Sequence, residues 1–224
     1  MRKPLILIFA ILIVDQILKI WIKLNLSLGQ EIALIGDWCK IHFIENEGMA
    51  FGMSFGGVWG KLFLTLFRIL ASVLIFIYLR KLIKRKESKL IIYSMALIFA
   101  GAVGNIIDSL FYGLIFTDSS FFNNAEIFQG GYGSFLHGRV VDMFYFPLID
   151  TTFPSWLPFF GGQPFQFFNA IFNIADISIT FGVLILIVSI LSTNNKEKKT
   201  QSEKEQESQK ELEKEIIIDN ITQQ

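Results

Sequence analysis

NAIFNIADISITFGVLILIVSIL, residues Asn169–Leu191, is apolar over 23 residues and carries one acid, Asp176. As a helix it is about 34 Å long, enough to cross the hydrocarbon core of a bilayer. A membrane span is therefore expected here, and a carboxylate within one needs a partner or a task.

Working outward, three further stretches have the same length and character: about Pro4–Leu24, Gly60–Ile83 and Leu90–Tyr112. Each satisfies its own backbone hydrogen bonds only as a helix, since lipid offers none. The chain as a whole agrees. Of its 224 residues, 52% are hydrophobic, and the mean hydropathy of +0.50 is high for a water-soluble domain. The formal net charge is zero, which argues against a nucleic-acid partner. The one cysteine, Cys39, allows no internal disulfide.

Basic residues set the expected orientation. Arg2 and Lys3 precede the first span; Arg80, Lys81, Lys84, Arg85, Lys86 and Lys89 fill the loop after the second; Lys196, Lys198 and Lys199 follow the fourth. The positive-inside rule makes all three groups cytoplasmic, with both termini inside. Two loops then face out, about Asn25–Trp59 and Gly113–Phe168. The N-terminus lacks a small-x-small cleavage site and reads as a retained span.

The first outer loop, with Gly36-Asp37 between two β-prone runs, predicts a small sheet. The second is rich in Gly, Phe and Pro and predicts an aromatic belt at the headgroups. The fold class expected is an all-α membrane protein with a small β element, a four-helix transmembrane bundle under an extracytoplasmic β-like platform. Residues 1–192 form the membrane domain and 193–224 a charged, disordered cytoplasmic tail.

The polar residues of the spans carry the chemistry. Asp15 and Lys19, four apart, share a helix face; they read first as a structural ion pair, with direct catalysis the alternative. Asn105-x-x-Asp108 and Asn173-x-x-Asp176 repeat one spacing in spans three and four. Gly101, Ala102 and Gly104 beside the first repeat allow close helix approach. The pattern predicts either a polar cleft open to the outer surface or interhelical hydrogen bonds alone. With Asp176 about seven residues into its span, the acids fall near the outer leaflet rather than the midplane.

Asp142, in Gly138-Arg139-Val140-Val141-Asp142, is expected in the outer loop near that level. Two carboxyls a few Å apart resist double ionisation and can share one proton, so one acts as base and the other as acid. Asp142 and Asp176 are the candidate catalytic pair. Gly52-Met53-Ser54-Phe55-Gly56 fits a nucleophile-elbow pattern but lacks its strand-to-helix setting and partners. Cys39 near His42 is a weaker thiol candidate. There is no His-Glu-x-x-His zinc motif and no phosphate loop, so no metal or organic cofactor is expected. A proton-coupled transporter using Asp15, Asp108 and Asp176, or a scaffold working through its tail, remain the non-enzyme alternatives.

Taken in order, five stretches resemble bacterial lipoprotein signal peptidase (signal peptidase II). They are Asp15-Gln16-x-x-Lys19, Asn46-x-Gly48-x-Ala50-Phe51, Gly101-Ala102-x-Gly104-Asn105-x-x-Asp108, Gly138-x-Val140-Val141-Asp142-Met143 and Phe172-Asn173-x-Ala175-Asp176. The resemblance covers about residues 10–185. It implies an aspartic endopeptidase of the inner membrane that cuts a prolipoprotein before a cysteine carrying diacylglycerol. Asp142 and Asp176 would be catalytic. Asn46, Gly48, Asn105, Asp108 and Asn173 would shape the site, and Asp15 with Lys19 would support the fold. It further implies contact with membrane lipid, inhibition by globomycin-like cyclic peptides, and a monomer. Two departures stand out. Ser109 occupies a position where the family often has Arg, with Arg139 a candidate replacement. The segments 110–137 and 143–168 are long for the family.

Overall fold

The computed structural model describes residues 2–47 and 57–193. Gly48 with the rest of its motif to Phe51, the Ser54 motif and the tail from 194 lie outside the described residues. Among the described residues, four helices are long and apolar enough to cross a membrane: α1 (Arg2–Asn25), α2 (Gly57–Lys84), α3 (Lys89–Ile115) and α4 (Ile174–Thr193). Apolar side chains such as Phe9, Ile17, Phe67, Leu74, Phe181 and Val188 point outward and are exposed, as lipid-facing positions are.

Two apolar clusters hold the bundle, one at each end. Ile8, Leu79, Leu82, Met95, Ala96 and Ala100 pack where the basic loop joins α2 to α3. Ile22, Leu26, Phe43, Tyr112, Phe116, Val141 and Met143 pack at the other end, beneath a sheet. Buried polar groups occupy the layer between, among them Asp15, Lys19, Asn105, Asp108 and Asn173.

The sheet is antiparallel, in the order β1 (Glu31–Ile35), β2 (Cys39–Asn46), β3 (Val140–Tyr145), β6 (Ile171–Phe172). The β1–β2 hairpin turns at Gly36, whose φ of 51° suits a residue without Cβ. A separate ribbon pairs β4 (Ile149–Thr152) with β5 (Pro164–Phe167).

Three sequence expectations shift. Asp142 lies on strand β3, not in a loop. The loop's Gly and Phe content hid that strand, which forms because Ile44, Glu45 and Asn46 of β2 supply its ladder. The fourth helix starts at Ile174 rather than near Asn169, because Ile171–Phe172 pair with Tyr145 and Phe144 instead. Asp176 therefore sits in the first turn of α4. The third helix runs on past Tyr112 to Ile115 through a π-helical turn at Asp108–Tyr112; such turns often mark functional sites.

Glycines let these elements touch. A Cβ at Gly101 would overlap the Ala175 carbonyl oxygen of α4, and one at Gly104 would lie 2.9 Å from Asp15 Oδ2. A Cβ at Gly138 would overlap the Asp108 carbonyl oxygen. The last contact docks the start of β3 onto the π turn, where Gly138 N–H donates to Ser109 O at 2.9 Å.

Candidate active site

Asn173 and Asp176 form a reciprocal cap on α4. Asp176 N–H donates to Asn173 Oδ1 at 3.0 Å, and Asn173 N–H donates to Asp176 Oδ2 at 3.2 Å. This is capping-box geometry, an N-cap side chain and an N3 carboxylate each satisfying the other's amide. The Asn-x-x-Asp spacing of the fourth span is thus a helix-start signal as well as a polar face.

The same Asn173 reaches the other acid. Its Nδ2 donates to Asp142 Oδ1 at 2.7 Å. The side chain and backbone of one residue therefore contact both carboxyls, which keeps them within about 10 Å of each other. Asn46 Nδ2 donates to Asp142 Oδ2 at 3.2 Å, and Asn105 Nδ2 donates to Asp176 Oδ1 at 2.8 Å. Asn173 Nδ2 also lies 3.1 Å from Asn105 Oδ1, linking the two asparagines. Burial, reinforced by the Asp176 charge, pushes the Asp142 carboxyl up to about 7, against the hydrogen bond from Asn46 and the Lys19 charge.

Beneath the pair lies an ionic cluster. Lys19 Nζ contacts Asp15 Oδ2 at 2.9 Å and Asp108 Oδ2 at 2.8 Å, with all three side chains fully buried. It also donates to Asn105 Oδ1 at 2.9 Å. Asp15 Oδ1 accepts from Ala175 N–H at 2.9 Å, and Asp108 Oδ2 accepts from Val141 N–H at 3.3 Å. Gln16 Nε2 donates to Asp108 Oδ1 at 2.9 Å. These contacts fasten α1 to α3 and α4, and α3 to β3. Asp108 belongs to this cluster and connects to the acid pair through Lys19 and Asn105.

Arg139 does not sit beside the acids. It immediately precedes β3, and its partner Glu45 sits opposite Val141, on the face away from Asp142. There it pairs with Glu45 at 2.8 Å and Asp118 at 2.7 Å. Burial works against its charge, but those hydrogen bonds outweigh burial and hold its pKa above the usual guanidinium value. Glu45 also pairs with the buried Lys23. The β2–β3 sheet thus separates an ionic cluster on one face from the acid pair on the other. A second cation, besides Lys19, does act on the pair: Arg68 of α2, whose charged neighbours are Asp176, Asp142 and Asp108 in that order. Arg68 lies within an apolar span, which is itself a signal legible in the sequence. Lys23, four residues beyond Lys19 on the same face of α1, carries the same signal.

Four membrane helices, a small sheet and an acid pair gripped by asparagines define the class: a polytopic membrane aspartic peptidase. Known proteins narrow it. The model of the signal peptidase (SPase) II family matches residues 7–192. A lipoprotein signal peptidase of Porphyromonas gingivalis is 49% identical over 185 residues, covering 81% of this chain and 80% of that one. Another, from Amoebophilus asiaticus, is 34% identical over 179 residues, covering 79% and 72%. Two solved bacterial membrane enzyme structures, obtained by the in meso method, share the fold. Their TM-scores are 0.58 and 0.56 at 23% and 24% identity, over 87% and 85% of this chain and 90% and 94% of theirs. The chain belongs to the signal peptidase II family and is a multi-pass inner-membrane enzyme.

Proposed function

We propose that Asp142 and Asp176 are the catalytic pair with which this enzyme removes the signal peptide of a prolipoprotein, cutting just before a diacylglyceryl-modified cysteine. The observation that carries the reading is the double grip of Asn173, which donates from its side chain to one acid and from its backbone to the other. Family membership supports the substrate class.

In this reading the pair holds one proton between its two carboxyls, and the proton belongs to the pair rather than to either residue. The ionised carboxyl takes a proton from water as the oxygen attacks the scissile carbonyl carbon. The protonated carboxyl gives its proton to the carbonyl oxygen, producing a neutral tetrahedral diol. The proton taken from water then passes to the leaving amide nitrogen as the C–N bond breaks, while a diol hydroxyl returns its proton to the other carboxylate, which releases a carboxylic acid and an amine and restores the single shared proton. Asn105, Asn173 and Asn46 hold the carboxyl planes in place. Asp15, Lys19 and Asp108 fix the elements that carry the pair.

The acid-bearing end of the bundle lies opposite the basic loop, so the site faces the outer side and both termini are cytoplasmic. That is the depth at which a lipid-anchored precursor presents its scissile bond. Residues 1–192 form the peptidase domain, working as a monomer, and the tail from 193 is dispensable.

The test is cleavage of a lipidated prolipoprotein peptide by the purified protein in detergent, with and without a globomycin-like cyclic peptide. Asp142→Asn and Asp176→Asn should each remain folded and lose at least about 10²- to 10⁴-fold in rate. Wild-type processing by either variant would remove the assignment.

A further inference from the structure

Between the two acids in sequence lies the β4–β5 ribbon, which among the described residues forms a two-stranded sheet of its own. A two-stranded hairpin alone is marginal in water and needs a surface for its apolar face. This ribbon has such a face. The register Ile149↔Phe167 and Thr151↔Phe165 puts those four residues on one side, with Thr152 and Pro164 on the other. Phe153 extends the apolar side, its ring 4.9 Å from Phe165 and 5.9 Å from Phe160. The face is exposed at Ile149 (47%) and Phe167 (54%), with Phe165 and Phe153 half-buried between base and tip. The tip is more so, with Trp156 at 77% and Phe159 at 94%.

Chemistry and position say what covers it. From Met143 to Thr193 there is no Lys or Arg, and Asp150 and Asp176 are the only charges, so ionic attraction does not select the partner. Aromatic side chains dominate, the type that concentrates at membrane–water interfaces. Position fixes the level: β5 ends at Phe167 and α4 enters its span at Ile174. The base of the ribbon joins the sheet through a seam of rings, Phe168 to Phe172 at 6.2 Å, Phe172 to Phe146 at 5.6 Å and Phe146 to Trp38 at 6.3 Å. Trp38 in turn adjoins exposed Leu34 and Ile35 at the β1–β2 turn. The apolar face is thus continuous with the rim of the platform above the lipid-facing helices.

We infer that the Ile149–Phe167 hairpin lays its aromatic face, tip foremost, into the headgroup–acyl boundary of the bilayer that holds the four helices. Inserted there, it tethers strand β3 with Asp142 and the start of α4 with Asp176 at a fixed depth relative to membrane-anchored substrate. The tethering role rests on the catalytic reading of those two acids.

The full-length protein with Cys39→Ser and a single new cysteine, Phe159→Cys or Thr152→Cys, is labelled with an environment-sensitive fluorophore. It is reconstituted into phosphatidylcholine–phosphatidylglycerol vesicles containing lipids spin-labelled at the headgroup or along the acyl chain. The label at 159 should shift to the blue and be quenched most by labels near the headgroup, whereas the label at 152 should stay accessible to aqueous iodide. Iodide quenching of both sites without lipid quenching overturns the proposal. So does a signal at 159 that appears only at high protein-to-lipid ratio, which would mean contact with a second copy. A functional arm uses Trp156→Asp with Phe159→Asp. In vesicles its KM for lipidated substrate should rise roughly tenfold, the scale of losing one or two buried aromatic anchors, with detergent turnover of a short peptide unchanged. Equal loss in both media would mean a folding defect and overturn the tethering role. Asp142→Asn abolishes turnover in both media if the catalytic reading holds, so the two readings fail separately.

Discussion

Replacing Asp142 by Asn should inactivate the protein and, at alkaline pH, stabilise it. Burial, then the neighbouring Asp176 charge, lifts the Asp142 carboxyl from its ordinary 3.8 to about 7. Below pH 4 folded and unfolded chains both hold the proton, and the lift costs nothing. Between pH 4 and 7 the unfolded chain releases it while the folded chain keeps it, so stability falls as pH rises. Above pH 7 the full cost applies, roughly 4 kcal/mol at 1.36 kcal/mol per pH unit. Asparagine matches the shape and stays neutral. It keeps the bond from Asn173 Nδ2 but sets an amide against the Asn46 Nδ2 that now donates to Asp142 Oδ2. That mismatch returns about 1–3 kcal/mol unless Asn46 flips. The net gain expected at pH 8 is about 1–3 kcal/mol, and at pH 4.5 none or a small loss. Thermal unfolding of wild type and Asp142→Asn in one detergent, at both pH values, reads this directly. If the Asn variant trails wild type by the same margin at pH 8 as at pH 4.5, the buried-charge account of this site is wrong.

Two further outcomes follow from the same geometry. Lys19→Met leaves Asp15 and Asp108 buried without their shared cation, which should cost about 3–5 kcal/mol; a melting temperature in detergent equal to wild type would show that the cluster does not hold the bundle. Arg68→Gln removes the positive charge that faces Asp176, Asp142 and Asp108, while the Lys19 charge of α1 still acts on Asp142. Its activity–pH profile should move to higher pH, because carboxylates lose a favourable neighbour, with Arg68→Lys restoring it; superposable profiles would count Arg68 out.

The four spans, their order and the residues of the polar layer could be read from the chain alone, because lipid leaves a long apolar segment no choice but a self-bonded helix. The tight approach of α3 to α4 was legible too, since Gly101 and Gly104 have no side chain to hold a neighbour off. So was the turn at Gly36-Asp37, for an equally local reason. What surrounds each acid was decided only by the folded chain. Asp142 became a strand residue through pairing with β2, a segment far away in the sequence. Asp176 became a helix-cap residue because Asn173 starts α4 where β6 ends, and Asn173 then reaches across to Asp142. Folding likewise turned Arg139 toward Glu45 and Arg68 toward the acids, because strand alternation and helix packing set where a charge points. Which partner a buried charge finds depends on distances through space, and those exist only once the chain has closed on itself.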